Sequence, residues 1–408
     1  MEATSKCELI PEEVIRIILR HATSPPRILD TSLETLHAAG QEHSPKLRHF
    51  GKDILKSMPI KLSLSLVSKQ FRTLIEPLLF EAIIVTEYDR IPKLCELLRS
   101  PSISDPTKPK GSLCRRIDFL LGRRGHYWDG EAGRNSLGTL LGILPLCPNV
   151  EVLIVDPLRS GFDDRSQNFL ALPPSFWTLL ATKCGQSLRL LTIGHVAVNP
   201  KHVPESLGAC TQLQSLEILV GWYGSLPDDL GKRIPLPNLH RLKVYNFETL
   251  HCVSFPNLRS AYISTNDSLF DIRRFQYKFD VQNLTHLEYR GFYVDIFQLA
   301  TVFPSISHFT LVRAHFGHRR WEFDGDNTIP NLKKITVQHY YAWPTGQPIL
   351  ENIVQLCEAN ALPALAQVEY IEHHGLVRNE TRDPTEMNQA FQRLNVEFTA
   401  CKRWLNFD

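Results

Sequence analysis

Nine short segments of this chain repeat one spacing: an apolar anchor, a second apolar residue three positions on and a third five positions on. The clearest copies open with Pro-Asn and read Pro-Asn-Leu-His-Arg-Leu-Lys-Val (237–244), Pro-Asn-Leu-Arg-Ser-Ala-Tyr-Ile (256–263) and Pro-Asn-Leu-Lys-Lys-Ile-Thr-Val (330–337). The anchors are Val150, Leu188, Leu213, Leu239, Leu258, Leu284, Ile306, Leu332 and Leu365, in steps of 38, 25, 26, 19, 26, 22, 26 and 33 residues. A unit this short cannot bury its apolar face alone, so such units stack, each on its neighbours. Stacking leaves one face of the strands to hold another macromolecule, and the repetition therefore argues for binding before chemistry.

Composition narrows the class. With 43% hydrophobic and 22% charged residues the chain is an ordinary globular one. Its 45 basic and 43 acidic residues give a formal net charge of +2, too even a balance to recruit nucleic acid or anionic lipid by charge alone. No run reaches the ~18–20 apolar residues of a membrane-spanning helix. The polar start, Met-Glu-Ala-Thr-Ser-Lys-Cys-Glu, does not resemble a secretory signal. The nine cysteines form no Cys-x-x-Cys pair and no zinc spacing. Cys147, Cys184 and Cys210 each shortly precede an anchor, as small buried hydrophobes in a reducing compartment, cytoplasm or nucleus, would.

Ahead of the repeats the pattern is helical. Residues 9–22 predict one amphipathic helix, with Pro11 in its first turn, Glu12 and Glu13 at the positive end of its dipole, and Val14, Ile17 and Ile18 sharing a face with Ile10. Residues 23–59 read as an insertion with a short helix near Ile54–Met58. From Lys61 to Leu78 apolar residues recur at helical spacing, interrupted at Pro77. Residues 81–85 predict a strand, 91–98 a helix, 101–109 a loop and 114–119 a weak forerunner of the repeat. Helical stretches at 137–144, 176–183, 205–209, 296–302 and 349–358 alternate with the anchors, and 221–235 and 264–280 read as loops. The alternation Leu394, Val396, Phe398 predicts a last strand.

With these pieces in view the chain resembles the F-box-like proteins with degenerate leucine-rich repeats that are abundant in mushroom-forming fungi. Ile10-Pro11-Glu12-Glu13-Val14-Ile15-Arg16-Ile17-Ile18 looks like the opening Leu-Pro-x-Glu-hydrophobic segment of the F-box. Leu66-Val67-Ser68-Lys69-Gln70-Phe71-Arg72-Thr73-Leu74 looks like its Leu-Val-Cys-Lys-Arg-Trp-Arg-x-Leu segment, with Ser68 and Phe71 in place of Cys and Trp. The resemblance implies an α/β chain in two parts: a helical F-box-like module at 8–80, split by the insertion at about 23–59, and an irregular leucine-rich-repeat solenoid at 81–408. Parallel strands would line the concave face of that solenoid, and helices and loops the convex one. It further implies a substrate-recognition subunit of a Skp-cullin-F-box-type ubiquitin ligase. A Skp-type adaptor, and through it a cullin-RING ligase, would bind Ile10, Pro11, Val14, Ile18, Leu66, Val67 and Phe71. A scaffold that no longer engages the adaptor is the alternative.

Strand alternation identifies candidate client contacts. If the anchor, +3 and +5 positions point inward, +2 and +4 face the concave surface and +6 its rim. These positions hold Arg241, Lys243, Tyr245, Tyr262, His286, Arg290, His308 and Lys334, and the mixed charge fits an unidentified protein client better than a polyanion. No phosphate-binding glycine loop, nucleophile elbow or His-Glu-x-x-His motif occurs. Glu372-His373-His374 puts neighbours on opposite sides of a strand, and Asp324-Gly-Asp326-Asn327 lacks a calcium-loop spacing. His126-Tyr127-Trp128-Asp129, beside Gly122-Arg123-Arg124-Gly125, is one short patch where single-stranded nucleic acid would need an extended platform. The expectation is a binding protein with no catalytic residues, metal or cofactor of its own, engaging neither nucleic acid nor membrane.

Overall fold

A computed structural model describes residues 10–25, 28–31, 45–120, 138, 140–156, 170–194, 196–197, 203–218, 234–244, 253–264, 282–290, 296, 301–312, 328–339, 347–374 and 385–404. Each of the nine anchors is buried, and each is followed two residues later by the first residue of a strand. Two compact units result, Met1–Leu226 and Pro227–Asp408. Among the described residues no helix is long and apolar enough to cross a membrane.

In the first unit, strands β1 (Ala82–Val85), β2 (Arg116–Phe119), β3 (Val152–Val155), β4 (Leu190–Ile193) and β5 (Ser215–Ile218) pair in parallel and in chain order. The second unit continues the habit with β6 (Arg241–Val244), β7 (Ser260–Ser264), β8 (His286–Arg290), β9 (His308–Val312), β10 (Lys334–His339), β11 (Gln367–His374) and β12 (Glu397–Trp404). Parallel neighbours need a crossover between them, and the segments between strands supply it. The +3 and +5 residues of each repeat, such as Leu153 and Val155 or Leu242 and Val244, are fully buried. Behind the first unit's strands lie Phe176 and Trp177, edge to face at 5.2 Å, and the buried thiols of Cys147, Cys184 and Cys210. Burial pushes the Cys184 and Cys210 thiols up to about 12, so they behave as packing atoms and not nucleophiles.

The Pro-Asn opening of the repeats has a structural cause. Asn149 Nδ2 donates to the Ser112 carbonyl at 2.7 Å, Asn257 to Pro237 at 2.7 Å, Asn283 to Pro256 at 3.0 Å and Asn331 to Pro304 at 2.9 Å. Each asparagine therefore reaches back and satisfies a turn carbonyl of the preceding repeat, a group that no strand ladder serves. Where two turns approach most closely a side chain has no room: a Cβ on Gly111 would lie 2.1 Å from the Leu146 carbonyl oxygen.

Among the described residues, three helices precede the strands: α1 (Glu12–Thr23), α2 (Pro45–Ser65) and α3 (Lys69–Phe80). Their shared core is Leu19, Leu74, Ile75 and Leu78, flanked by Ile15, Leu64, Phe71 and Leu79. The structure corrects three expectations here. The second helix starts at Pro45, within the segment read as an insertion, and runs through Pro59, because Ile54 and Leu64 bury against neighbouring elements and outweigh the proline. The break falls at Leu66–Ser68 and not at Pro77, because the Ser68 hydroxyl accepts from the Phe71 N–H at 3.1 Å and caps α3. Pro11 is likewise the residue before α1 and not part of its first turn.

The helices are built into the first unit by buried polar groups. Glu76 of α3 accepts from the Ser102 hydroxyl (2.7 Å) and from the backbone N–H groups of Ile103 (2.6 Å) and Ser104 (3.1 Å). This pins the loop that follows α4 (Ile91–Arg99). Lys61 of α2 is buried and donates to the Leu78 carbonyl at 2.9 Å, near the end of α3; burial holds its ammonium below the usual range, opposed by the Glu81 charge. The later crossovers include α5 (Pro174–Leu179), α6 (Val203–Gly208) and α7 (Gln347–Glu358). A helix that the sequence did not announce, α8 (Thr385–Arg393), precedes the last strand; its Phe391 is buried and stacks on Phe398 of β12 at 5.1 Å.

Candidate functional site

The helical module turns an apolar surface outward. On α1, Ile15 and Leu19 face the core, while Ile10 and Pro11 just ahead of it and Val14, Ile17 and Ile18 along it are exposed. On α2, Leu55, Ile60 and Leu62 are exposed, and the turn into α3 carries Leu66 at 85% and Val67 at 65% exposure. Six of the seven residues assigned to adaptor binding from sequence are thus at the surface. Phe71 is the exception, since it is half-buried against the Leu19–Leu74–Ile75–Leu78 core. Ile17, Leu55, Ile60 and Leu62 are also exposed and were not among the residues assigned from sequence; the last three lie on α2, most of which was read as an insertion. Water covers these groups at a cost of about 1.5–3 kcal/mol for each side chain that a partner could bury.

The client candidates fall into rows across the second unit. Register places Arg241, Ser260, His286, His308 and Lys334 side by side, with Lys243, Tyr262 and Glu288 in the next row and Arg290 in the third. Tyr245 lies outside the described residues. Alternation is therefore as expected, but exposure is not: Arg241 is 8%, Lys243 7% and Tyr262 4% exposed, and His286, Arg290, His308 and Lys334 are half-buried. The reason is lateral. Strands stand about 4.8 Å apart, so side chains in one row cover each other's flanks. The Lys243 ammonium sits over the Tyr262 ring at 5.0 Å, the rings of His286 and His308 stack at 4.2 Å, and Lys334 pairs with Glu369 at 3.0 Å.

Each ring is held by the hydroxyl that precedes it. The Thr285 hydroxyl lies 3.1 Å from the Arg259 carbonyl and 2.8 Å from His286 Nδ1. Ser307 repeats the arrangement, 3.2 Å from the Thr285 carbonyl and 2.8 Å from His308 Nδ1. Burial first, then the neighbouring His308 charge, lowers His286 to about 4; burial, then Lys334 and Lys333, lowers His308. Both shifts favour the uncharged imidazole.

Elsewhere in the first unit a notch of about 480 Å³ is lined by Arg20, Leu78, Glu81, Leu113, Arg115 and Glu151, among others. Its charges are tied to one another, Arg20 to Glu81 at 2.5 Å and Arg115 Nε to Glu151 at 2.6 Å, which makes it a seam between elements. Among the described residues, no group of three or more His, Cys, Asp or Glu is placed to hold a metal ion. His126–Asp129 and Asp324–Asn327 lie outside the described residues, as do the side chains of His373 and His374.

No protein-family model matches the chain, and no curated protein does. A solved structure of a protein from Bacteroides fragilis is similar at 14% identity, covering 78% of this chain and 73% of that one with a TM-score of 0.36. So loose a likeness carries no argument about function.

Proposed function

We propose that this chain is an F-box-like substrate-recognition subunit of a cullin-type ubiquitin ligase, with leucine-rich-type repeats holding a client protein while catalysis resides in the associated proteins. The observation that carries the reading is the outward exposure of the apolar Ile10, Val14, Ile18, Leu66 and Val67 on a helical module whose described core is filled by other residues. A surface of that kind serves a protein partner, here a Skp-type adaptor. Stacked parallel strands beside the module supply a second, separate face for a client.

The test is capture of a Skp-type adaptor by the full chain, compared with a Leu66→Asp, Val67→Asp variant. Both residues are exposed, so the variant keeps the parent's thermal midpoint within about 2 °C, as surface substitutions generally do. The expected result is adaptor capture by the parent and at least a tenfold loss in the variant. A parent that captures no adaptor, or a variant that captures it equally, overturns the reading.

A further inference from the structure

The first unit's strands carry two buried faces where one was expected. Besides the core face, the opposite face holds Ile84, Val152, Ile154 and Leu190 together with Leu120, and these form an apolar cluster of their own. Among the described residues, what packs on it is the chain's own segment Ile28–Thr31. Leu29 packs on that cluster, and Ile28 on Ala82 and Ile54. The Ile28 carbonyl accepts from Arg116 Nη1 at 2.9 Å, and the Thr31 hydroxyl donates to Gln214 Oε1, just ahead of β5, at 2.7 Å. The segment therefore runs across the strands as a strap, and the insertion between the first two helices does not simply loop away.

Each contact is one that a peptide in trans could make. Arg116 is held rigidly by a two-point ion pair to Asp118 (Nε to Oδ1 2.8 Å, Nη2 to Oδ2 2.9 Å), which leaves Nη1 to grip a backbone carbonyl. The aliphatic cluster takes the side chain that follows, and Gln214 takes a hydroxyl two positions further on. Leu29 remains only partly buried, and the core behind the strands is complete without it.

We infer that this face is a peptide-binding groove occupied in cis, and that a client engages it by displacing the strap. The client segment is extended and unstructured, with two adjacent aliphatic residues and a hydroxyl two positions after the second. The inference rests on the reading that the repeats hold a client, and specifies where and how. Adaptor capture is untouched by its outcome, so failure here and failure of the adaptor reading are separate results.

The probe is an acetylated and amidated peptide, Ile-Leu-Asp-Thr-Ser-Leu, copied from residues 28–33. A tethered strap competes at an effective concentration of order millimolar, so the parent binds the peptide weakly. A Leu29→Asp variant of the full chain, with its strap weakened, binds the peptide at least tenfold more tightly, and a peptide with Asp in place of its Leu does not bind. The parent supplies a second measurement. Trypsin must take the residues after the cut bond in extended form, so cleavage after Arg27 needs Ile28–Thr31 undocked; millimolar peptide therefore accelerates that cleavage severalfold and saturably. A folded variant with no gain in peptide affinity overturns the inference. If that variant does not fold, cleavage of the parent decides: an unchanged rate makes the strap a fixed cover.

Discussion

The side chain of Asn257 donates to the main-chain carbonyl of Pro237 at 2.7 Å, so the residue that opens one repeat completes the turn of the one before it. Alanine at 257 leaves that carbonyl without its partner. Asn257→Ala is expected to destabilise the second unit by about 1–2 kcal/mol, a typical value for a lost side-chain to backbone bond. The denaturant midpoint should fall with an unchanged slope.

Glu76 is the strongest tie between the helices and the repeats. All three donors go to one carboxylate oxygen, Oε2, so Glu76→Gln offers them at best a neutral amide oxygen in place of a charged one. A loss of roughly 3 kcal/mol is expected, since hydrogen bonds to a buried charged group are the costly ones to break. Thermal unfolding followed by circular dichroism reports it, and Ser102→Ala should lose less.

His286 gives the second unit a sensitivity to acid. Its folded value is lowered from 6.5 to about 4, so between those values the unfolded chain binds the proton more readily. Stability is therefore full above about pH 6.5 and falls as the pH drops toward 4. Thermal midpoints measured over that window should decline in the parent and decline less in His286→Phe, which keeps a ring against His308 but cannot titrate.

Gly111 sits where a side chain meets the Leu146 backbone. Gly111→Ala forces two turns apart and is expected to cost about 1–3 kcal/mol, the usual penalty of overpacking. The corresponding change at Gly138, where a Cβ meets nothing within 4 Å, should be near neutral in the same assay.

The repeat anchors were legible because burial leaves a direct record: an apolar residue at the anchor, +3 and +5 is what a buried parallel strand with its turn requires. The Pro-Asn openings were visible too, although their reason, a bond to the previous repeat, lies in tertiary structure. The exposed residues of α1 could be read from their helical period, and Leu66 and Val67 from the motif they resemble. The full extent of α2 could not, because Pro59 is a local signal against a helix that packing overrides. Helix α8 was hidden by having one buried side chain, Phe391, as its whole apolar record. The strap was invisible for a different reason. Ile28 and Leu29 are two aliphatic residues in a Pro- and Ser-rich stretch, and nothing local names the strands they cover. Candidate client residues lie opposite the core positions as alternation requires, yet sideways shielding between neighbouring strands has no sequence signature.

The constant two-residue offset from anchor to strand coexists with steps that vary from 19 to 38 residues. All of that length variation is thus absorbed by the return segments, which act as slack while the ladder keeps its rungs. Extra residues spliced into a return segment should leave strand pairing untouched, whereas a single residue added between an anchor and its strand would rotate every following side chain onto the opposite face.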